Sequence, residues 1–170
     1  MKWDLQAFIE NAEITDSFLT KLDFKHIKLT KNRFVKVLEP ISLNGMFVRV
    51  DEEVWIRGNI ECKYQVKCDR CLDLYDAVVE AEIEAQIVKD ADLIEPFDDT
   101  KILYQNGNLN IEEAVERAIV VQFPMKNLCS DDCEGICPKC GINLNHSKCT
   151  CEKEEGIDIR LFELTKFEKR

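Results

Sequence analysis

The chain has 170 residues, 45% hydrophobic and 33% charged, with 6 Gly, 4 Pro and a formal net charge of −10. That composition suits a folded domain of ordinary size, alone or with a small metal-held appendage, and leaves little room for disorder. An acidic surface repels phosphates, which argues against nonspecific nucleic-acid binding, and no stretch approaches the roughly 20 apolar residues of a membrane helix.

Met1-Lys2-Trp3-Asp4-Leu5-Gln6 lacks the apolar run of a secretory signal, so the sequence reads as cytoplasmic. Between Lys21 and Lys36 the acidic trend reverses: Lys21, Lys25, Lys28, Lys31, Arg33 and Lys36 face Asp23 alone, with Phe24 and Phe34 interleaved. Two readings stay open for this stretch. Lys25, Lys28, Lys31 and Arg33 contact an RNA backbone, or the lysines are the wet, aggregation-guarding face of one or two strands.

From Phe24 to Val88 apolar and polar residues alternate with period two. Strands are expected over Phe24–Leu29, Ile41–Val50, Val54–Lys67 and Val78–Val88, paired antiparallel with one face in water. Asp51-Glu52-Glu53 reads as a hairpin turn, and Cys68-Asp69-Arg70-Cys71 as a second strand-to-strand corner. Residues 89–109, acidic and interrupted by Pro96 and Asn106-Gly107-Asn108, read as a loop. A helix then starts at Asn110 with Glu113 at the reciprocal capping position, places Ile111, Val115, Ala118 and Ile119 on one face, and stops before Pro124. Asp158 caps a last expected helix with Leu161, Leu164 and Phe167 on its stripe. The expected fold class is α+β, mainly antiparallel β with a few helices and a zinc-knuckle C-terminal segment. Its parts are a β-rich domain over 1–128, a cysteine-rich segment over 129–156 and a C-terminal helix over 157–170 packed on the main domain.

Nine cysteines carry the strongest chemical signal. In a reducing compartment they stay thiols, and an odd number cannot pair off completely. Two thiolates separated by two residues reach adjacent corners of a zinc tetrahedron from one tight turn. Cys137-x2-Cys140 and Cys149-x-Cys151 make one compact set of four. Cys129-x3-Cys133 then needs two partners, and Cys68-x2-Cys71 is the other close-spaced pair. Closing the intervening chain costs about 3–4 kcal/mol plus a constant, which a zinc site bears easily. The reading is therefore two zinc ions per chain, one stitching the sheet corner to the segment after the helix, with Cys62 unliganded and His146 the main competitor for a ligand place.

Three alternatives remain at this point. Cys68 and Cys71 are two ordinary thiols near a turn; Cys137-Pro138-Lys139-Cys140 is a thiol-redox motif or sensor; or the chain is a zinc-dependent adaptor that binds protein and never touches RNA. Against the redox reading, the motif lacks the strand before and helix after that such chemistry uses, having Gly135-Ile136 on one side and Gly141 on the other. Nothing else resembles a catalytic constellation: there is no phosphate-cradling glycine loop or nucleophile elbow, and the only histidines are His26 and His146. No catalytic residue and no small-molecule substrate are expected.

Several segments together resemble the bacterial YceD family, also called the large ribosomal RNA subunit accumulation protein family. They are Cys68-Asp69-Arg70-Cys71-Leu72; Asn110-Ile111-Glu112-Glu113 leading to Pro124-Met125-Lys126; the run from Leu128 through Cys129, Cys133, Cys137-Pro138-Lys139-Cys140-Gly141 to Asn145; and Cys149-Thr150-Cys151 ahead of Ile157-Asp158-Ile159-Arg160-Leu161. The resemblance spans about residues 40 to 165. It implies a role in accumulation of the large-subunit ribosomal RNA precursor, with ribosomal RNA or a ribosomal or assembly protein as partner, and no reaction. Some members lack the second cysteine set while keeping the C-x-R-C element, which implies that the two sets are separable.

Overall fold

A computed structural model describes residues 15–31, 33–94 and 100–151. The chain divides into two compact units, Met1–Asp69 with Asp73–Cys129, and Arg70–Leu72 with Ser130–Arg170.

The first unit is built on a sheet. Its strands are β1 (Thr15–Leu22), β2 (His26–Thr30), β3 (Arg33–Val37), β4 (Ile41–Val50), β5 (Glu53–Lys67), β6 (Leu74–Val88), β7 (Lys101–Gln105) and β8 (Asn108–Leu109). They run in the order β1-β4-β5-β6-β7-β8, and the β2–β3 hairpin joins β5 through β3. Alternation sets which face is buried. On β5, Val54, Ile56, Ile60, Cys62, Tyr64 and Val66 are buried while Arg57, Asn59 and Glu61 face water; on β6, Val79, Ala81, Ile83 and Ala85 alternate with Glu80, Glu82 and Glu84. The helix α1 (Ile111–Gln122) packs on β6, β5 and β2. It contributes Ile111, Ala114, Val115 and Ile119 to the same apolar cluster as Ile27, Leu43, Ile56 and Ile60. Asn110 precedes the helix without capping a backbone amide; its Nδ2 donates to Glu113 Oε2 at 3.1 Å instead.

The expected α+β class with a few helices is corrected by this architecture. Among the described residues there is one α-helix, besides a three-residue 3-10 turn at Ala91–Leu93, and the fold is mostly sheet. The sheet is also mixed, because β7 joins β6 in parallel from Gln86↔Lys101 to Val88↔Leu103. The expected loop over 89–109 contains β7 and β8. Five residues of Lys-Ile-Leu-Tyr-Gln are too few for an alternation to stand out, yet Asn106-Gly107 announces the hairpin: φ is 52° and 75° at the two positions, the pair of left-handed residues that a two-residue type I′ turn demands. β1 and β3 were not expected as separate strands. The expected helix over 157–170 and residues 152–156 of the cysteine segment lie outside the described residues.

A glycine pair fixes the contact of β4 with β5, since Gly45 lies directly opposite Gly58. A Cβ on Gly58 would meet the Asn44 carbonyl oxygen at 2.7 Å and the Gly45 Cα at 2.9 Å, both backbone atoms that cannot swing away. On the Gly45 side the Phe18 ring fills the space, stacked on Phe47 with centroids 4.8 Å apart. Gly58→Ala is accordingly expected to cost about 1–3 kcal/mol by forcing the strands apart, read as a lowered denaturant midpoint with an unchanged slope.

Among the described residues no helix is long and apolar enough to cross a membrane.

Candidate metal centres

None of the nine cysteines is joined in a disulfide. Eight converge in two sets of four.

The first set is prepared by the corner after β5. The Cys68 N–H donates to the Asp73 carbonyl at 2.8 Å and closes the turn, in which Leu72 adopts φ 67°. Asp69 and Asn127 then exchange two hydrogen bonds: the Asp69 N–H donates to the Asn127 carbonyl at 2.7 Å, and the Asn127 N–H donates to Asp69 Oδ2 at 2.7 Å. This two-way clasp holds the stretch just before Cys129 against the residue after Cys68, although 58 positions separate them. The sulfurs of Cys68, Cys71, Cys129 and Cys133 all lie within 4.8 Å of one another, with three of the four residues buried and Cys129 exposed.

The second set comes from two turns. Gly141, at φ 73°, donates its N–H to the Cys137 carbonyl at 2.9 Å, folding Cys137-Pro138-Lys139-Cys140 into a tight loop, and the Cys137 N–H donates to the Ile142 carbonyl at 2.8 Å. The sulfurs of Cys137, Cys140, Cys149 and Cys151 again lie within 4.8 Å of one another. Cys149 Sγ is 3.3 Å from that of Cys137 and 3.5 Å from that of Cys140, and the Cys151 N–H donates to Cys149 Sγ at 3.3 Å. Four sulfurs placed tetrahedrally at about 2.3 Å from one zinc ion stand about 3.8 Å apart. The observed separations therefore suit thiolates around a single cation, and an all-sulfur tetrahedral set is the chemistry of zinc and of iron–sulfur sites.

Crowding spreads the acidity of these thiols. The backbone N–H groups of Cys140 and then Lys139, helped by the Cys149 thiol, lower Cys137 to about 6, while side-chain bonds to Cys149 and Cys140 push Cys151 up to about 12. A bound divalent cation removes this competition by stabilising all four as thiolates.

The other residues singled out by sequence fall elsewhere. Cys62 is fully buried in the sheet core, where loss of solvation pushes its thiol up to about 11. His146 is exposed and belongs to neither set. Lys25, Lys28 and Lys31 are exposed, whereas Arg33 is ion-paired with Asp69 at 3.5 Å.

Two supporting residues were not foreseen. Asn145 Nδ2 donates to Cys133 Sγ at 3.4 Å while its Oδ1 accepts the Glu134 N–H at 2.8 Å. Arg70 Nη1 donates to the Cys133 carbonyl at 3.0 Å, and a Cβ at Gly135, φ 79°, would crowd the Arg70 carbonyl oxygen at 3.1 Å. The one signal for Asn145 was its position between Cys140 and Cys149.

These features define a sheet protein that carries two all-thiol donor sets. Residues 56–168, more than half of the chain and including all eight of those cysteines, match the family described as Large ribosomal RNA subunit accumulation protein YceD, and the chain belongs to the YceD family. An uncharacterized protein of Mycobacterium leprae is 25% identical over 113 residues, covering 62% of this chain and 49% of that protein. The chloroplastic large ribosomal RNA subunit accumulation protein YCED homolog 1 of Arabidopsis thaliana is 34% identical over 47 residues, 28% of this chain and 15% of that protein. An uncharacterized protein of Mycobacterium bovis is 25% identical over 97 residues, 56% of this chain and 47% of that protein. The chain thus spans about half the length or less of the curated relatives it matches. No solved structure matches it.

Proposed function

We propose that the chain is a non-enzymatic cytoplasmic factor in accumulation of large-subunit ribosomal RNA, in which each all-thiol set holds a structural zinc ion. Membership of the YceD family supplies the process. The observation that carries the rest is the convergence of eight thiols into two compact sets of four. Zinc in such closed sets is structural: with four protein ligands there is no open position for water or substrate. The role requires no nucleophile or general base, and its partner is ribosomal RNA itself or a ribosomal or assembly protein. Deleting the gene should lower the ratio of large-subunit to small-subunit ribosomal RNA. An unchanged ratio in a gradient profile of the deletion strain overturns the reading.

A thiol-redox function draws on one observation, the lowered Cys137 thiol with Cys149 sulfur at 3.3 Å. Zinc content and free-thiol titration of the purified chain separate the two: a metal-free protein with a reversible disulfide supports redox chemistry, two zinc ions and no reductase activity the structural role.

A further inference from the structure

The outward face of the β2–β3 hairpin has a chemistry that neither thiol set uses. Strand pairing places Lys28 opposite Phe34 and His26 opposite Lys36. Residues directly opposite in an antiparallel pair project to the same face, so these four side chains form one surface patch. All four are exposed, and Phe34 leaves 58% of its surface in water. Their neighbours Ile27 and Val35 point the other way and are 0% and 2% exposed. Lys25 enters the hairpin and Lys31 lies at its turn, both exposed.

Charge and aromatic character coincide here against the trend of the chain. Residues 21–36 hold six Lys or Arg and one Asp in a protein of net charge −10. Distant acidic groups are screened beyond about 8 Å at physiological ionic strength, so the local positive field governs what approaches this face. Arg33 is taken up by Asp69, and Glu116 accepts the backbone N–H of Lys28, not its ammonium. The lysine ammonium groups are therefore the charges this face presents. Guarding an exposed strand explains lysines. It does not explain a phenylalanine set between Lys28 and Lys36.

We infer that this face binds unpaired RNA, with a base stacked on the Phe34 ring and flanking phosphates held by Lys28 and Lys36. A ring between ammonium groups is the pairing by which single strands are held without sequence preference. A duplex hides its base faces and gives Phe34 nothing to stack on. The choice of RNA over DNA rests on the proposed role in ribosomal RNA accumulation; the stacking geometry does not.

Fluorescence anisotropy of the zinc-loaded full chain with a short labelled single-stranded RNA tests the assignment, with the same RNA annealed to its complement, the matching single-stranded DNA and a polyglutamate peptide as competitors. Single-stranded RNA is expected to bind better than duplex. Phe34→Ala should weaken it about tenfold with an unchanged salt dependence, and Phe34→Trp should retain binding. Lys28→Gln and Lys36→Gln should each reduce the slope of log affinity against log salt by about 0.7. These exposed positions leave the fold intact, which an unchanged melting temperature checks. Absence of binding, preference for duplex or for the peptide, or indifference to all of these substitutions overturns the assignment. Those results would leave the ribosomal role standing, since that role falls on the ribosomal RNA ratio of the deletion strain.

Discussion

Stripping metal from the purified chain is expected to release two equivalents of zinc and to make residues 130–151 protease-sensitive while the sheet persists. Among the described residues of that stretch the only buried apolar side chains are Cys133 and Cys137; Ile136 and Ile142 are each 37% exposed. A segment without an apolar core has little to offset its ordering entropy, and a structural zinc contributes on the order of 10–16 kcal/mol at neutral pH. The sheet is differently placed, because Ile27, Leu43, Ile56, Ile60, Val115 and Ile119 give it a core of its own. Far-ultraviolet circular dichroism should therefore keep its strand signal after chelation. Cys137→Ser combined with Cys140→Ser should leave about one zinc per chain by metal analysis. A metal-free protein whose 130–151 segment resists proteolysis as well as the loaded one contradicts the account.

Substituting Asn145 should weaken metal binding at the set containing Cys133, although Asn145 belongs to the loop framed by Cys140 and Cys149. Cys133 and Cys137 lie four residues apart on one stretch of chain. Facing it, Leu144 donates its N–H to the Gly135 carbonyl at 2.8 Å, Cys137 donates to the Ile142 carbonyl at 2.8 Å, and Ile136 bridges Asn143. Asn145 ends this short ladder and puts its amide on the Cys133 sulfur. Such donors hold a ligand in place and delocalise thiolate charge, and their loss costs about 10- to 100-fold in metal affinity. Asn145→Ala is expected to fall within that range, and Asn145→Asp to do worse because a carboxylate repels the thiolate. With cadmium in place of zinc, nuclear magnetic resonance resolves the two ions separately. The Cys133 set should shift in both variants, and Cys140→Ser should disturb it as well by loosening residues 142–145. Two resonances unmoved by Asn145→Ala, with unchanged affinity, would show that the ladder transmits nothing.

What the sequence revealed follows from where its signals are local. Cysteine spacing pairs Cys137-x2-Cys140 with Cys149-x-Cys151, and Cys68-x2-Cys71 with Cys129-x3-Cys133; in the structure the sulfurs of each four lie within 4.8 Å. Thiols are few and chemically distinct, so elimination works on them. Long strands were equally legible, because β4, β5 and β6 each repeat the period-two pattern over at least 10 residues. Of the shorter strands β2 fell within an expected one, while β1, β3, β7 and β8 were not expected: β3, β7 and β8 have five, five and two residues, too few for an alternation to stand out. Asn106-Gly107 was present as a hairpin signal but was outweighed by the acidic run before it. Asn145 and Arg70 escaped because a hydrogen bond to a sulfur or to a single carbonyl leaves no periodic trace.

β5 is hydrogen-bonded on both sides through most of its length, to β4 from Glu53 to Glu61, to β3 at Tyr64 and Gln65, and to β6 from Val54 to Lys67. Its amides cannot open without three neighbours letting go. In deuterated solvent they should be the last to exchange, at a rate set by global unfolding, while the β7–β8 hairpin tip exchanges through local fraying.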